Sequence, residues 1–236
     1  MGVSGGISGR RGVLVGGGTT VFAAVVASSI AIAASESRIG PRHVSHCPTR
    51  PSSTRKRYVS VVKSRRISVY QVANDDYAVN FVCHIPTRTR TPLSEEPIWV
   101  FFRDDPGYVP KHTVVFARDW VAFSWTDSDA EREYFGVDVV DARHGREGMV
   151  DFYSLQTDPG FHRINRIVLR KTGVLAWSTR HRILRCRERC RDRALKGSLV
   201  RPKLLASGPK VVGRSLRGTK HGITWLEGRR RHFARL

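Results

Sequence analysis

Ile98 to Trp125 reads IWVFFRDDPGYVPKHTVVFARDWVAFSW, two apolar, aromatic-rich runs joined by Asp104-Asp105-Pro106-Gly107. The Asp pair caps and tolerates unusual backbone angles, Pro fixes φ and Gly accepts positive φ, so the segment predicts strand, turn, strand. It is the densest concentration of core-forming residues in the chain, and it contains no catalytic signature. The surrounding sequence repeats the pattern. Ile67–Val72 alternates in strand fashion, and Tyr77–Ile85 is a β-rich run bounded by Asn74-Asp75-Asp76 and Pro86. Further runs follow at Thr113–Ala117, Trp120–Trp125, Phe135–Val140, Val150–Leu155 and Ile164–Leu169. A helix is expected only around Asp127–Tyr134, capped by Asp127 or Ser128, and again near Arg180–Lys196, ending at Gly197. About eight short strands separated by turns imply a mainly β protein, an antiparallel sandwich or jelly-roll-like core.

Charge divides the 236 residues into three parts. Residues 1–74 carry 11 Lys/Arg against one acid, residues 75–158 carry eight against 16, and residues 159–236 carry 22 against three. The order is basic, acidic, basic, with the large apolar residues concentrated in the acidic centre. The expected division is therefore 1–57 as an apolar segment and basic linker, 58–177 as the β-rich core, and 178–236 as an Arg-rich tail. Both extensions read as largely disordered, because a net +19 over 78 residues with isolated apolar positions repels itself. An excess of this size attracts a polyanion.

Within the N-terminal part, residues 12–35 carry no charge, follow Arg10-Arg11 and end in Ala31-Ile32-Ala33. Three readings stand open: a cleaved targeting peptide, a membrane-embedded segment, or an uncleaved Gly/Ala arm. Pro41, Pro48 and Pro51 then break any helix. Two basic clusters follow, Arg55-Lys56-Arg57 and Lys63 with Arg65-Arg66, spaced like a bipartite nuclear localisation signal and equally like a phosphate-contacting arm.

Carboxylate pairs such as Asp104/Asp105, Asp127/Asp129 and Glu131/Glu133 are of the residue type that glycosidases and metal-dependent nucleases use, yet most adjoin Pro, Gly or Ser in turns. His112 and His144 have no recognisable nucleophile beside them, and neither HExxH nor a Gly-rich phosphate loop occurs. The expectation is a non-enzymatic protein with no cofactor. Of four cysteines, Cys186 and Cys190 form a C-x3-C pair of the kind that opens a zinc site. The downstream His221 and His232 are badly spaced for one, so no metal is expected and plain thiols on an Arg-rich helix are.

Four segments carry a family resemblance: Arg66-Ile-Ser-Val-Tyr70, Ile98 to Tyr108 with its Arg103-Asp104-Asp105-Pro106-Gly107 turn, Val115-Phe116, and Arg166-Ile-Val-Leu-Arg-Lys-Thr-Gly-Val174. Together, over about residues 55–175, they resemble the coat proteins and related nuclear shuttle proteins of geminiviruses, plant viruses with single-stranded DNA genomes. The resemblance implies a jelly-roll core that associates with copies of itself, single-stranded nucleic acid as partner with DNA favoured, and a location in virion and host nucleus. The residues expected to meet phosphate are Arg55, Lys56, Arg57, Lys63, Arg65 and Arg66 in the arm, and Arg185, Arg187, Arg189, Arg191, Arg229, Arg230 and Arg231 in the tail. The alternatives are a membrane-anchored or exported basic protein that uses residues 12–35, and an organellar ribosomal protein.

Overall fold

A computed structural model describes residues 42–50, 57–73, 78–98, 113–128, 133–154 and 163–236. The expected segment 12–35, the Asp104–Gly107 turn with both its acids, Arg55 and Lys56 lie outside the described residues, as do His112, Asp129 and Glu131. Within Arg38–Leu236, which forms one compact unit, the described strands make four antiparallel sheets, and the chain is mainly β as its alternation predicts. The first sheet has the order β1(Arg42–His43), β5(Thr89–Ile98), β4(Ala78–His84), β3(Ile67–Ala73), β2(Arg57–Lys63). The second is β6(Val115–Ala117), β7(Trp120–Ser128), β8(Glu133–Asp141), β9(Arg146–Ser154). The third is β10(Arg166–Leu169), β11(Leu175–Ser178), β12(Arg182–Cys186), β13(Lys203–Ser207), with the helix α1(Glu188–Ala194) between its last two strands. The fourth is β14(Val211–Gly218), β15(Gly222–Glu227), β16(Arg230–Arg235). Apart from β1, each sheet is an antiparallel meander of consecutive strands, with α1 carried in the β12–β13 connection.

Three apolar clusters stack these sheets in layers. Ile67, Val69, Val82 and Leu93 of the first sheet pack on Val121, Phe123 and Val140 of the second. The other face of the second sheet, Ala122, Phe135, Val137, Val139 and Val150, packs on Ile167, Leu175, Trp177 and Leu184 of the third. Ala176 and Ile183, on the third sheet's opposite face, meet Val211, Leu216, Ile223 and Trp225 of the fourth. Side chains alternate across a strand, so the two inner sheets must be apolar at successive positions. Val121-Ala122-Phe123 and Leu175-Ala176-Trp177 have that composition, and all six residues are buried.

Three expectations about boundaries fail, the last of them only in part. Residues 178–236 are folded: they supply β12 to β16 and all of the fourth sheet. The outermost sheet needs only one apolar face, so Ile223 and Trp225 alternate inward while the Arg residues point to water, where their mutual repulsion is screened. A register shift between Val212 and Arg217 further obscures the period-2 signal in β14. The helix expected at Asp127–Tyr134 is a strand at both ends, since β7 runs to Ser128, β8 begins at Glu133, and the two pair with Ser128 opposite Glu133. The helix expected over Arg180–Lys196 begins only at Glu188, because Arg182–Cys186 is strand. Its end at Gly197 holds: that residue has φ +71° and donates its N–H to the Ala194 carbonyl at 2.8 Å.

All four cysteines are paired, Cys47 with Cys83 and Cys186 with Cys190, which corrects the expectation of thiols at the second pair. Among the described residues no helix is long and apolar enough to cross a membrane, and no group of three or more His, Cys, Asp and Glu is placed to hold a metal.

Candidate nucleic-acid interface

The basic residues singled out from sequence fall into separate places. Lys63, Arg65 and Arg66 are exposed at the β2–β3 turn of the first sheet, with Arg57 at the start of β2. Arg66 is only partly available: its Nε donates to Asp119 Oδ1 at 2.6 Å, and the buried His84 meets the same oxygen through Nε2 at 3.0 Å. His84 in turn bonds Thr87 Oγ1 through Nδ1 at 2.7 Å. Burial would raise the Asp119 carboxyl, but the hydrogen bonds from Arg66 and His84 outweigh it and hold the group below its ordinary value. This acid is a latch between the first two sheets. Other central acids are similarly engaged: Asp138 accepts from Trp125 Nε1 at 3.0 Å, and Asp141 bonds His144 and Arg146 at 2.7 and 2.9 Å.

Arg229, Arg230 and Arg231 sit exposed on the two-residue β15–β16 hairpin, which turns at Gly228 with φ +59°. They belong to the fourth layer and the arm residues to the first, so the structure does not bring these two groups together.

The third group does assemble. Along β12, Leu184 and Cys186 join the core against the second sheet while Ile183 faces the fourth sheet. Arg185 turns to the same side as Ile183, and its Nη1 donates to the carbonyl of Arg235 at 2.6 Å. The Cys186–Cys190 disulfide fastens the first turn of α1 to the end of this strand. The other end of the helix lies close on β9, where a Cβ at Gly148 would come within 2.5 Å of the Ala194 carbonyl carbon. Held at both ends, α1 forms one wall of a cleft of about 260 Å³. Arg185, Arg187, Arg189, Arg193, Arg201 and Lys203 line it, with Cys190 and Val200. Arg201 and Lys203 enter because β13 pairs back along β12 with Lys203 opposite Arg185.

No carboxylate is among the lining residues. Glu188 stands nearby, 3.7 Å from Arg187. The cations act on one another: burial pushes the Arg185 guanidinium below its ordinary value, the charge of Arg187 adds to this, and Glu188 opposes it. Arg185 Nε is buried and has no hydrogen-bond partner among the described residues. A buried donor without an acceptor costs roughly 1–3 kcal/mol.

Arg191 belongs elsewhere. It lies 5.2 Å over the Trp120 ring, donates to the Thr172 carbonyl and pairs with Asp192 at 2.6 Å, so it ties α1 to neighbouring loops instead of facing the cleft. Sequence reading thus selected Arg185, Arg187 and Arg189 and missed Arg193, Arg201 and Lys203. The run of alternating Arg carries the first three, whereas the last two depend on strand register, which local composition does not report. No family model, curated protein or solved structure matches the chain.

Proposed function

We propose that this protein binds single-stranded nucleic acid through the α1–β12–β13 cleft and serves as a coat-like or shuttle protein that packages or carries it. The observation that carries the reading is the gathering of six cationic side chains around one cleft with no carboxylate in its lining. Such a site neutralises several successive phosphates and gains affinity from counterion release. The cleft of about 260 Å³ admits the backbone of one strand, whose flanking phosphates reach the cations around its rim. The exposed cations of the β2–β3 turn and of the β15–β16 hairpin would extend contact over other layers. The favouring of DNA, the self-association and the location in virion and nucleus follow from the resemblance to geminiviral coat proteins and are part of the same proposal.

Fluorescence anisotropy of labelled 20-nucleotide dT and rU against salt tests it. Six phosphate contacts give a slope of roughly −4 in log K against log salt, at about −0.7 per contact for single strands. Replacing Arg187 and Arg201 by Gln should make the slope shallower by about 1.4. A slope near zero would sink the electrostatic mechanism.

The two disulfides favour a second reading, in which an exported protein uses the same cleft for a sulfated glycan, since disulfides persist in oxidising compartments. Competition separates the two. Displacement of bound oligonucleotide by heparin at equal charge and with far greater potency would favour the glycan.

A further inference from the structure

A second cationic cleft lies at the other end of the same two strands. β12 and β13 pair antiparallel, with Arg185 opposite Lys203 at the first cleft and Arg182 opposite Ser207 at the far end. Beyond that far end, Arg180 and His181 lead into β12, and Pro209 and Val211 to Arg214 follow β13. These residues, with Arg163 and Asn165 from the start of the third sheet, line a cleft of about 600 Å³. Its lining contains three guanidinium groups and no carboxylate. It owes its floor to a bare backbone: a Cβ at Gly213 would come within 1.7 Å of the Thr179 carbonyl oxygen, so β14 can pass this close to the 179–181 turn only as glycine. A volume of 600 Å³ is within the range of small-ligand pockets, about 300–1,000 Å³. The Asn165 amide adds a group that both donates and accepts, as a base edge requires, whereas the cations of the first cleft only donate.

We infer that the two clefts are the ends of one bipartite site, the smaller taking backbone phosphate and the larger a nucleotide with its base, spanned by a single strand that runs along β13, the edge strand of the third sheet, whose Lys203, Leu204 and Ser207 are exposed. The inference rests on the reading of the first cleft as a nucleic-acid site. Five strand residues at about 3.3 Å each separate the clefts by about 17 Å. A stacked strand advances about 3.4 Å per nucleotide, so about six nucleotides are needed to fill both. Once one end is bound, the second contact is intramolecular and gains from the high effective concentration of the tethered strand.

Oligodeoxyadenylates of two to twelve nucleotides, measured by anisotropy at low salt on the intact protein, test the span. Affinity should change little from two to four nucleotides, rise at least tenfold between four and eight, and then grow slowly. A triple variant of exposed cations in the larger cleft, Arg163→Gln with Arg180→Gln and Arg214→Gln, should lose the step and keep four-nucleotide binding within about twofold. A smooth rise with phosphate number in the unaltered protein, or a step that survives in the triple variant, overturns the bipartite site while leaving the first cleft standing. Absence of binding even by the twelve-nucleotide strand overturns the nucleic-acid reading itself. The length series on the unaltered protein decides the span whether or not the triple variant folds.

Discussion

Replacing Asp151 by Asn should remove a pH dependence that the second and third sheets build into the fold. Asp151 lies on β9 at the contact between those sheets, where its Oδ2 accepts from Trp177 Nε1 at 3.1 Å and from the Tyr153 hydroxyl, and its Oδ1 from the Phe152 N–H at 3.2 Å. Burial pushes the carboxyl up to about 7, and those hydrogen bonds with the nearby Arg182 charge offset it only in part. The folded state therefore holds a proton that the unfolded chain, titrating near 3.8, has released. Between these values the unfolded state binds fewer protons than the folded one, so stability falls as pH rises and the loss is nearly complete above pH 7. A shift of about three units at 1.36 kcal/mol each gives about 4 kcal/mol. Urea unfolding of both proteins at pH 4 and pH 8 reads it. The stability of the parent relative to Asp151→Asn should drop by about 4 kcal/mol across that interval. Comparing the two cancels the titration of other groups, including Asp138, which burial also raises to about 7. A constant difference, or one that grows with pH, would refute the argument that this carboxyl is held protonated by burial.

Other expectations can be checked with similar means. Asp119→Ala leaves the buried His84 Nε2 and the Arg66 guanidinium without their shared carboxylate and should cost roughly 2–3 kcal/mol in chemical unfolding at pH 7. Because the Asp119 carboxyl is held below its ordinary value, that contribution is present above about pH 4 and fades as pH falls through the folded value; an unchanged midpoint at pH 7 would refute the latch. Gly136→Ala puts a Cβ 2.1 Å from Cε2 of Trp125, so the indole must swing away, with a loss of about 1–3 kcal/mol and a changed tryptophan emission spectrum. The disulfides should act differently from each other. Removing Cys47–Cys83, which joins residues 36 apart, should cost about 4 kcal/mol by chain entropy, whereas removing Cys186–Cys190, four residues apart, should cost about half that, ~2 kcal/mol. Loss of the latter frees the first turn of α1 and should weaken oligonucleotide binding several-fold.

Much of the layered core was legible as strands and little of it as layers. The alternation in Ile67–Val72 and the run Trp120–Trp125 mark strands because turns bound them, but a continuous run such as Val121-Ala122-Phe123 does not say what lies on each side. Burial on both faces becomes evident only when Ala122 is found against one sheet and its neighbours against another. The fourth sheet was hidden by its composition. Leu216, Ile223 and Trp225 are its main inward anchors, and they are diluted by arginines that occupy the solvent face. Cysteine pairing was also beyond reach, since four cysteines permit three connectivities.

The same limit explains which basic residues were found. Density along the chain treats Arg187, Arg189 and Arg191 alike, yet helical geometry sends the third over Trp120 and leaves the first two at the cleft. Density also discounts Lys203, which hairpin pairing sets beside Arg185. What charge counting does establish is the direction of the imbalance. The three acids among residues 159–236 are Glu188, Asp192 and Glu227, and each already faces a basic side chain of its own: Arg187 at 3.7 Å, Arg191 at 2.6 Å and His232 at 3.5 Å. The 22 Lys and Arg of that part therefore retain an excess that its own acids do not meet, and folding concentrates it, because β12 and β13 bring cations distant in sequence to common clefts. Of the described central acids, Asp119, Asp138, Asp141 and Asp151 are bound within the first three layers and do not reach these clefts. The single-stranded nucleic acid proposed as partner would supply the counter-charge at the two clefts.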